Sequence, residues 1–165
     1  MVFQCEFGMA SAAEETRLVK TGVFNTCVVL TLFSPSTGTG GLAHFDLKTE
    51  VNPSFRTVIM PELLRRGCQK VQARLIGGLA GSSGKLVRDL MNAVKGRGIK
   101  ILGVDLYEPH GYPGLILNTE NGELFDLQPP LLPFDVEEMR RNEQALLYLA
   151  ANPKQRLIHL VGESK

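Results

Sequence analysis

Two side chains in this 165-residue chain could act together as a nucleophile and a base, the thiol of Cys27 and the imidazole of His44. Cys27 begins an apolar run, Cys27 to Phe33, whose β-branched residues predict a buried strand. His44 lies in a second apolar run, Leu42 to Leu47, which follows a double glycine. The thiolate is the reactive form of cysteine, and a nearby imidazole can take the thiol proton and stabilise the charge. The pattern permits a Cys–His catalytic pair, although a lone Cys and a lone His in apolar strands are more often core residues.

The segments around these two residues predict a hairpin that would bring them together. Ser34 to Gly41 consists of turn-forming residues. Antiparallel pairing of the strands on either side would place Cys27 and His44 near one end of a sheet. Gly22 to Thr26, just before Cys27, is predicted to be a turn, and Thr21 lies at its start. This end of the sheet is therefore the candidate site, and it offers a thiol, an imidazole and a hydroxyl.

The remaining pattern predicts strands and helices in mixed order. Further strands are predicted at Val2 to Cys5, Lys70 to Ile76, Ile99 to Leu106, Leu115 to Thr119, Glu123 to Leu127 and Arg156 to Val161. Helices are predicted from an Asn52 cap to a stop at Gly67, from Lys85 to Lys95, and from Asp135 to Ala151. Strands outnumber helices and the first ones are linked by a hairpin, so the order is not a βαβ array. It predicts the α+β class.

The predicted helices carry apolar stripes, and that of the helix from Lys85 to Lys95 consists of Leu86, Leu90, Met91 and Val94. The stripe of the first helix consists of Phe55, Val58, Ile59, Leu63 and Leu64. The stripe of the last helix consists of Val136, Met139, Leu146, Leu147 and Ala150. The length fits one domain spanning residues 1–165, in which 130–165 form an added C-terminal helix and strand.

Composition excludes several function classes. A net charge of +1 gives no electrostatic basis for nucleic-acid binding, and no apolar run is long enough to be inserted in a membrane. Three cysteines without a CxxC pair argue against a disulfide framework or a zinc site, so we expect no metal and a reducing, cytoplasmic compartment. We also expect no cofactor. The glycine-rich loop Gly77 to Lys85 is not a phosphate-binding P-loop, because Leu79 and Leu86 stand at positions that require Gly and Ser or Thr. Cys68 is interpreted as a bystander, as is Cys5 in an N-terminal segment expected to be partly mobile.

Around the pair, the sequence resembles the CheD family, the chemoreceptor glutamine deamidases of bacterial chemotaxis. The resemblance begins with the Thr, glycine-containing turn and Cys of Thr21 to Cys27, and continues with the Ala-His-hydrophobic motif of Gly41 to Phe45. Three later motifs follow in the family's order, at Arg74 to Gly78, Gly98 to Asp105 and Asn118 to Leu124. Together they cover roughly residues 15 to 127.

The resemblance implies a fold, a reaction and a set of roles. The implied fold is an α/β/β sandwich, with packed β-sheets and helices covering one outer face. The implied reaction is hydrolysis of a glutamine side-chain amide to glutamate and ammonia, a hydrolase (glutaminase) activity on protein. Cys27 matches the family's nucleophile, His44 its base and Thr21 the residue that orients the base. Backbone N–H groups of the Asn25 to Cys27 turn are candidates for the oxyanion site, so Asn25 and Thr26 are expected at the pocket rim. We also expect the Cys27 thiol to be the most reactive one, with a pKa below its usual value of about 8.5.

Departures from the family pattern affect the substrate more than the reaction. Asn25-Thr26 replaces the usual Gly-Ser before the Cys, and Tyr107 to Gly114 replaces an Asp-x-Gly-Gly turn. The expected protein substrate is a chemoreceptor cytoplasmic helix, and a CheC-like phosphatase is a possible partner. Two alternatives stay open. One is an effector- or toxin-type glutamine deamidase acting on another protein, and the other is a non-catalytic CheD-like binding module in chemotaxis.

Overall fold

The computed structural model describes residues 1–22, 24, 26–106, 112, 114–127, 147, 151 and 157–161. The strands are β1 (Glu6–Ser11), β2 (Leu18–Thr21), β3 (Val28–Ser34), β4 (Thr39–Phe45), β5 (Gln72–Gly77), β6 (Lys100–Leu106), β7 (Leu115–Asn118), β8 (Leu124–Asp126) and β9 (His159–Leu160). The helices are α1 (Val51–Ser54), α2 (Met60–Arg65) and α3 (Gly84–Lys95), and a π-helical turn, Phe55–Ile59, joins α1 to α2. The predicted α+β class is confirmed.

The strands form two sheets that pack face to face. The larger sheet has six strands in the order β6-β5-β3-β4-β1-β9, and the smaller has three in the order β2-β7-β8. β3 and β4 pair antiparallel as the predicted hairpin. β5 and β6 pair in parallel, and helix α3 connects the end of one to the start of the other. Side chains alternate between the faces of a strand, so the six-stranded sheet presents a different set to each neighbouring layer.

The core divides into two clusters, one on each face of the six-stranded sheet. Leu30, Phe45 and Leu75 face the helices and pack with Phe55 and Leu90. The opposite face is covered by the three-stranded sheet, and its cluster includes Val29, Leu42, Ile76, Val19 and Leu117. The architecture is therefore helices on sheet on sheet, with the helices on one outer face as predicted.

Several predicted boundaries are wrong. The first strand is Glu6–Ser11 and not Val2 to Cys5, and the first helix begins at Val51, so Asn52 is not its cap. Leu64 was predicted on the apolar stripe but is 71% exposed. Even at the α-helical spacing of about 3.6 residues per turn, Leu64 lies on the side opposite to buried Phe55, so the spacing did not support its place on the stripe.

The C-terminal region is only partly described. Its predicted helix lies outside the described residues except for Leu147 and Ala151, which are helical. Leu147 is 63% exposed, so its predicted place on a buried stripe is wrong. Near the end of the chain, Ile158 is buried in the helix-facing cluster and β9 pairs in parallel with the outer edge of β1. No helix among the described residues is both long enough and apolar enough to cross a bilayer.

Candidate functional site

The hairpin register places Cys27 and His44 on the same face of the six-stranded sheet. Val29 lies directly opposite His44, and Val28 lies opposite Phe45. One further step sets Cys27 opposite Asp46, so Cys27 and His44 are diagonal neighbours across the two strands. Diagonal neighbours on one face lie about 7–8 Å apart at their Cα atoms, which is within reach of an imidazole. Both side chains point toward the three-stranded sheet.

The third residue of the site comes from that other sheet. Thr21 ends strand β2, and its Oγ1 lies 3.1 Å from Nδ1 of His44. Thr21 is fully buried and His44 is 5% exposed, so this contact is shielded from water. The packing of the two sheets therefore brings Thr21 and His44 into direct hydrogen-bonding contact, although 23 positions separate them in the sequence.

The other nitrogen of His44 has no such partner. Nε2 is buried and makes no hydrogen bond to any of the described residues. The ring is held on a further side by Phe24, whose ring meets it edge to face at 5.6 Å between centroids. A buried polar atom without a partner costs roughly 1–3 kcal/mol, so folded proteins seldom retain one. In His44, Nδ1 is therefore held by Thr21, whereas Nε2 is buried without a hydrogen-bond partner among the described residues.

Burial keeps both reactive groups neutral. It raises the pKa of the Cys27 thiol to about 12, and the nearby carboxylate of Asp46 and thiol of Cys5 add to this effect. A hydrogen bond from the Thr26 side chain works weakly in the opposite direction on the pKa of Cys27. Burial also lowers the pKa of His44 to about 4, against an opposing effect of Asp46. The expected low pKa of Cys27 is therefore wrong for this closed site, because burial disfavours the thiolate.

The backbone of Thr26 and Cys27 is fixed by the glycine-rich loop. Ser83 Oγ donates to the carbonyl of Thr26 at 2.8 Å and accepts from the N–H of Leu79 at 2.9 Å. The N–H of Gly78 donates to the carbonyl of Cys27 at 2.7 Å. The loop therefore holds the backbone on both sides of the thiol. Of the two expected rim residues, Thr26 is half-buried at this position, and Asn25 lies outside the described residues.

Two glycines allow other chain segments to approach the site closely. A Cβ at Gly77 would lie 2.6 Å from the carbonyl oxygen of Cys27 and 2.6 Å from the ring of Phe24. A Cβ at Gly114 would lie 2.6 Å from the carbonyl oxygen of Thr21. Both residues also have positive φ angles, which side chains disfavour. The backbone beside Cys27 and beside Thr21 therefore leaves no room for a side chain at either position.

Sequence reasoning missed two residues of this site. Asp46 is buried, and its Oδ1 accepts hydrogen bonds from Thr49 Oγ1 at 2.7 Å and from the Lys48 N–H at 3.0 Å. Its position two residues after His44 would have indicated it, because side chains i and i+2 of a strand share a face. Cys5 was expected in a mobile segment, but it is buried and its sulfur lies 3.3 Å from Thr49 Oγ1. No pattern in the sequence indicated this.

Among the described residues, no group of three or more His, Cys, Asp or Glu side chains is placed to hold a metal ion. His110 lies outside the described residues, and Cys68 contacts Thr37 in the loop between β3 and β4. The site that remains is a thiol, an imidazole and a hydroxyl between two sheets. No protein-family model matches the sequence, and no curated protein matches it.

Proposed function

We propose that this protein is a cysteine-dependent protein-glutamine deamidase. The observation that carries the proposal is the Thr21 Oγ1 to His44 Nδ1 contact of 3.1 Å, with Nε2 of the same ring buried and unsatisfied on the face that also holds Cys27. A nucleophile, a base and a residue that orients the base are the parts that hydrolysis of an amide through a covalent intermediate requires. The resemblance to the CheD family, which carries the same three residue types in order, supports the same reaction.

The first half of the reaction forms a thioester. When His44 Nδ1 carries a hydrogen and donates it to Thr21, Nε2 presents its lone pair and can accept the Cys27 proton. The thiolate attacks the carboxamide carbon, and the C=O electrons move to oxygen. The imidazolium then gives its proton to the departing nitrogen, because an amide nitrogen leaves only as ammonia. The C–N bond breaks and a thioester to Cys27 remains.

The second half releases glutamate. Ammonia leaves, a water molecule takes its place, and His44 removes a proton from this water as it attacks the thioester carbon. The C–S bond breaks, and the thiolate recovers the proton from His44. N–H groups of the turn before Cys27 would stabilise the negative oxygen in both halves, because backbone donors fixed in a dry site are effective there.

The proposed substrate is a glutamine side chain on another protein, and the cytoplasmic helices of chemoreceptors are the first choice. The proposed location is accordingly cytoplasmic, and a CheC-like phosphatase is the proposed partner. An effector-type deamidase would use the same chemistry on a different protein.

Burial of the site favours a second candidate, a non-catalytic binding module. Cys27 and His44 are both neutral and buried, so the closed site has neither a thiolate nor access for an amide. In that case Thr21, Cys27 and His44 would serve packing alone, and their replacement would leave binding to chemotaxis proteins intact.

Incubation with receptor cytoplasmic fragments, followed by peptide mass spectrometry and an ammonia assay, separates the two candidates. Cys27→Ala and His44→Ala should each reduce glutamine-to-glutamate conversion by roughly 10³-fold or more, and the double variant should match either single one. Thr21→Ala should lose roughly a hundredfold, since it disturbs only the orientation of the base, and Thr21→Ser should restore most of this loss. Cys68→Ala is the matched control and should be fully active. Equal conversion by the wild type and Cys27→Ala would reject the enzyme.

A further inference from the structure

The first five residues, Met1–Cys5, form a strap that ties together the two strands bearing Thr21 and His44. The N–H of Val2 donates to the carbonyl of Lys20 at 2.6 Å, and Val2 pairs in parallel with Thr21 as an isolated bridge. At the other end of the strap, the N–H of Cys5 donates to the carbonyl of His44 at 2.8 Å. The strap thus forms hydrogen bonds with the backbone of His44 and with the backbone of Lys20, the residue just before Thr21.

The side chains of the strap occupy space between the two sheets. Val2 is buried in the same cluster as Phe24 and Cys27. Its Cγ2 lies so near β1 that a Cβ added at Gly8 would approach it to 2.7 Å. The sulfur of Met1 lies 3.9 Å from where a Cβ of Gly22 would be, just after Thr21. The strap therefore fills the edge of the site where the two sheets meet.

Polar groups of the strap also reach the residues around the thiol. Gln4 Nε2 donates to Asp46 Oδ2 at 3.4 Å, and continuing the β3–β4 register by one residue sets Asp46 opposite Cys27. The Cys5 sulfur contacts Thr49, which donates to the same carboxylate. The strap consequently brings a glutamine side chain to the carboxylate that stands across from the proposed nucleophile.

Three features of the strap favour its displacement. Val2 makes a single bridge, and the bond from Gln4 is long for a hydrogen bond. Cys5 has a φ of +62°, a left-handed conformation that is unfavourable for a residue with a side chain. The Phe24 and Tyr112 side of the site is also held by two backbone hydrogen bonds, and a ring stack adds to them. The strained backbone at Cys5 makes the strap the cover that we expect to move.

Access to the site requires that one of these covers moves. Thr21, His44 and Cys27 are 0%, 5% and 7% exposed, and a glutamine carboxamide must touch the Cys27 sulfur to react. We propose that the Met1–Cys5 strap is an autoinhibitory element that occupies the substrate entrance and must be displaced before Cys27 can react. This inference rests on the proposed function for the identity of the substrate, but not for the closure itself. A glutamine-bearing segment of the substrate could take the strap's place along Lys20 and Thr21.

Thiol labelling tests the strap without requiring any deamidation. Gly8→Ala adds a Cβ that Val2 cannot accommodate without moving, whereas Gly103→Ala in β6 adds a Cβ whose nearest neighbour is 3.8 Å away. Both variants are treated with iodoacetamide, and labelling of each cysteine is followed by peptide mapping. We expect Cys27 to label roughly tenfold faster in Gly8→Ala than in Gly103→Ala, because local opening becomes easier when the strap is crowded out. Labelling of half-buried Cys68 should be the same in both.

A second pair of variants controls for a general loss of stability. Val2→Ala removes the anchor of the strap, and Val87→Ala removes the same groups from a buried position in the helix-facing cluster. Faster Cys27 labelling in Val2→Ala than in Val87→Ala, at matched global stability, supports the autoinhibitory role of the strap. Equal Cys27 labelling within both pairs of variants would overturn that role. If the strap variants expose Cys27 and still produce no ammonia from receptor fragments, the strap stands and the proposed deamidase fails.

Discussion

The two faces of the six-stranded sheet differ in what they bury. The face toward the helices holds a continuous apolar cluster, including Phe7, Leu30, Leu32, Phe45 and Leu75. The face toward the smaller sheet holds apolar residues as well, but among them are His44 and Cys27, and Thr21 approaches from the opposing strand. One face of the sheet is thus apolar and the other carries polar and titratable groups. Neighbouring residues of each strand belong to opposite faces.

This difference separates stability from chemistry. Apolar burial on the helix side contributes about 25 cal/mol for each Å² of apolar surface removed from water. The inter-sheet side includes an unsatisfied imidazole nitrogen and neutralised titratable groups, which oppose folding. A fold that keeps such groups must be stabilised elsewhere, and the helix-facing cluster is the part that does so.

The sharpest test of this division is a cavity on the helix side. Leu90→Ala removes a fully buried side chain of α3 and should lower the free energy of unfolding by about 2–5 kcal/mol. Its turnover per folded molecule should stay at the wild-type value. Leu64→Ala, at an exposed position of α2, is the control and should change stability by less than about 0.5 kcal/mol. Urea denaturation gives both values, and a Leu90→Ala variant that is folded but lacks the proposed deamidase activity of the wild type would contradict the division.

The pH dependence of stability tests the other face. The pKa of His44 is lowered to about 4 in the folded protein, from 6.5 when unfolded, so between these values the unfolded chain binds more protons. Stability therefore falls as pH is lowered from 6.5 to 4, by roughly 3 kcal/mol for this group. In the variant Thr21→Val/His44→Leu this loss should be absent. Urea midpoints at several pH values measure it, and parallel pH profiles for the two proteins would show that His44 is not the group responsible.

The smallest expected effect concerns the same double variant at neutral pH. Replacing Thr21 and His44 together removes the unsatisfied Nε2 and its hydroxyl partner at once. Stability at pH 7 should therefore equal that of the wild type or exceed it by about 1 kcal/mol, while the proposed deamidase activity should be lost. His44→Leu alone should be less stable than the pair, because it leaves the Thr21 hydroxyl buried without its ring partner. A double variant clearly less stable than the wild type would mean that the polar pair contributes to folding.

The sequence predicted the hairpin well because its signals are local. Two β-branched or apolar runs around a loop of Ser, Pro, Thr and Gly determine both the pairing of β3 with β4 and the relative position of Cys27 and His44. The α+β class follows from the same kind of pattern. The contact of Thr21 with His44 was expected from the resemblance alone, because packing between sheets leaves no periodic signal in the sequence.

The predictions that were wrong also have physical causes. Leu64 faces solvent because even the α-helical spacing of about 3.6 residues per turn places it on the side opposite to buried Phe55, so it did not belong on the predicted stripe. The pKa of Cys27 was expected to fall because a base is near, but the depth of burial, which a sequence does not express, has the larger effect. Cys5 reaches the site only because β1 lies beside β4, a long-range pairing between distant segments.

The close approaches at Gly77 and Gly114 have a consequence for the ancestry of this site. Neither residue carries a functional group, yet a methyl group at either would displace the backbone that presents Cys27 or Thr21. Any distant relative that retains this arrangement is therefore expected to have a glycine at both equivalent positions, even where the rim residues have diverged. A sequence profile seeking such relatives should weight these two glycines as heavily as the cysteine, the histidine and the threonine.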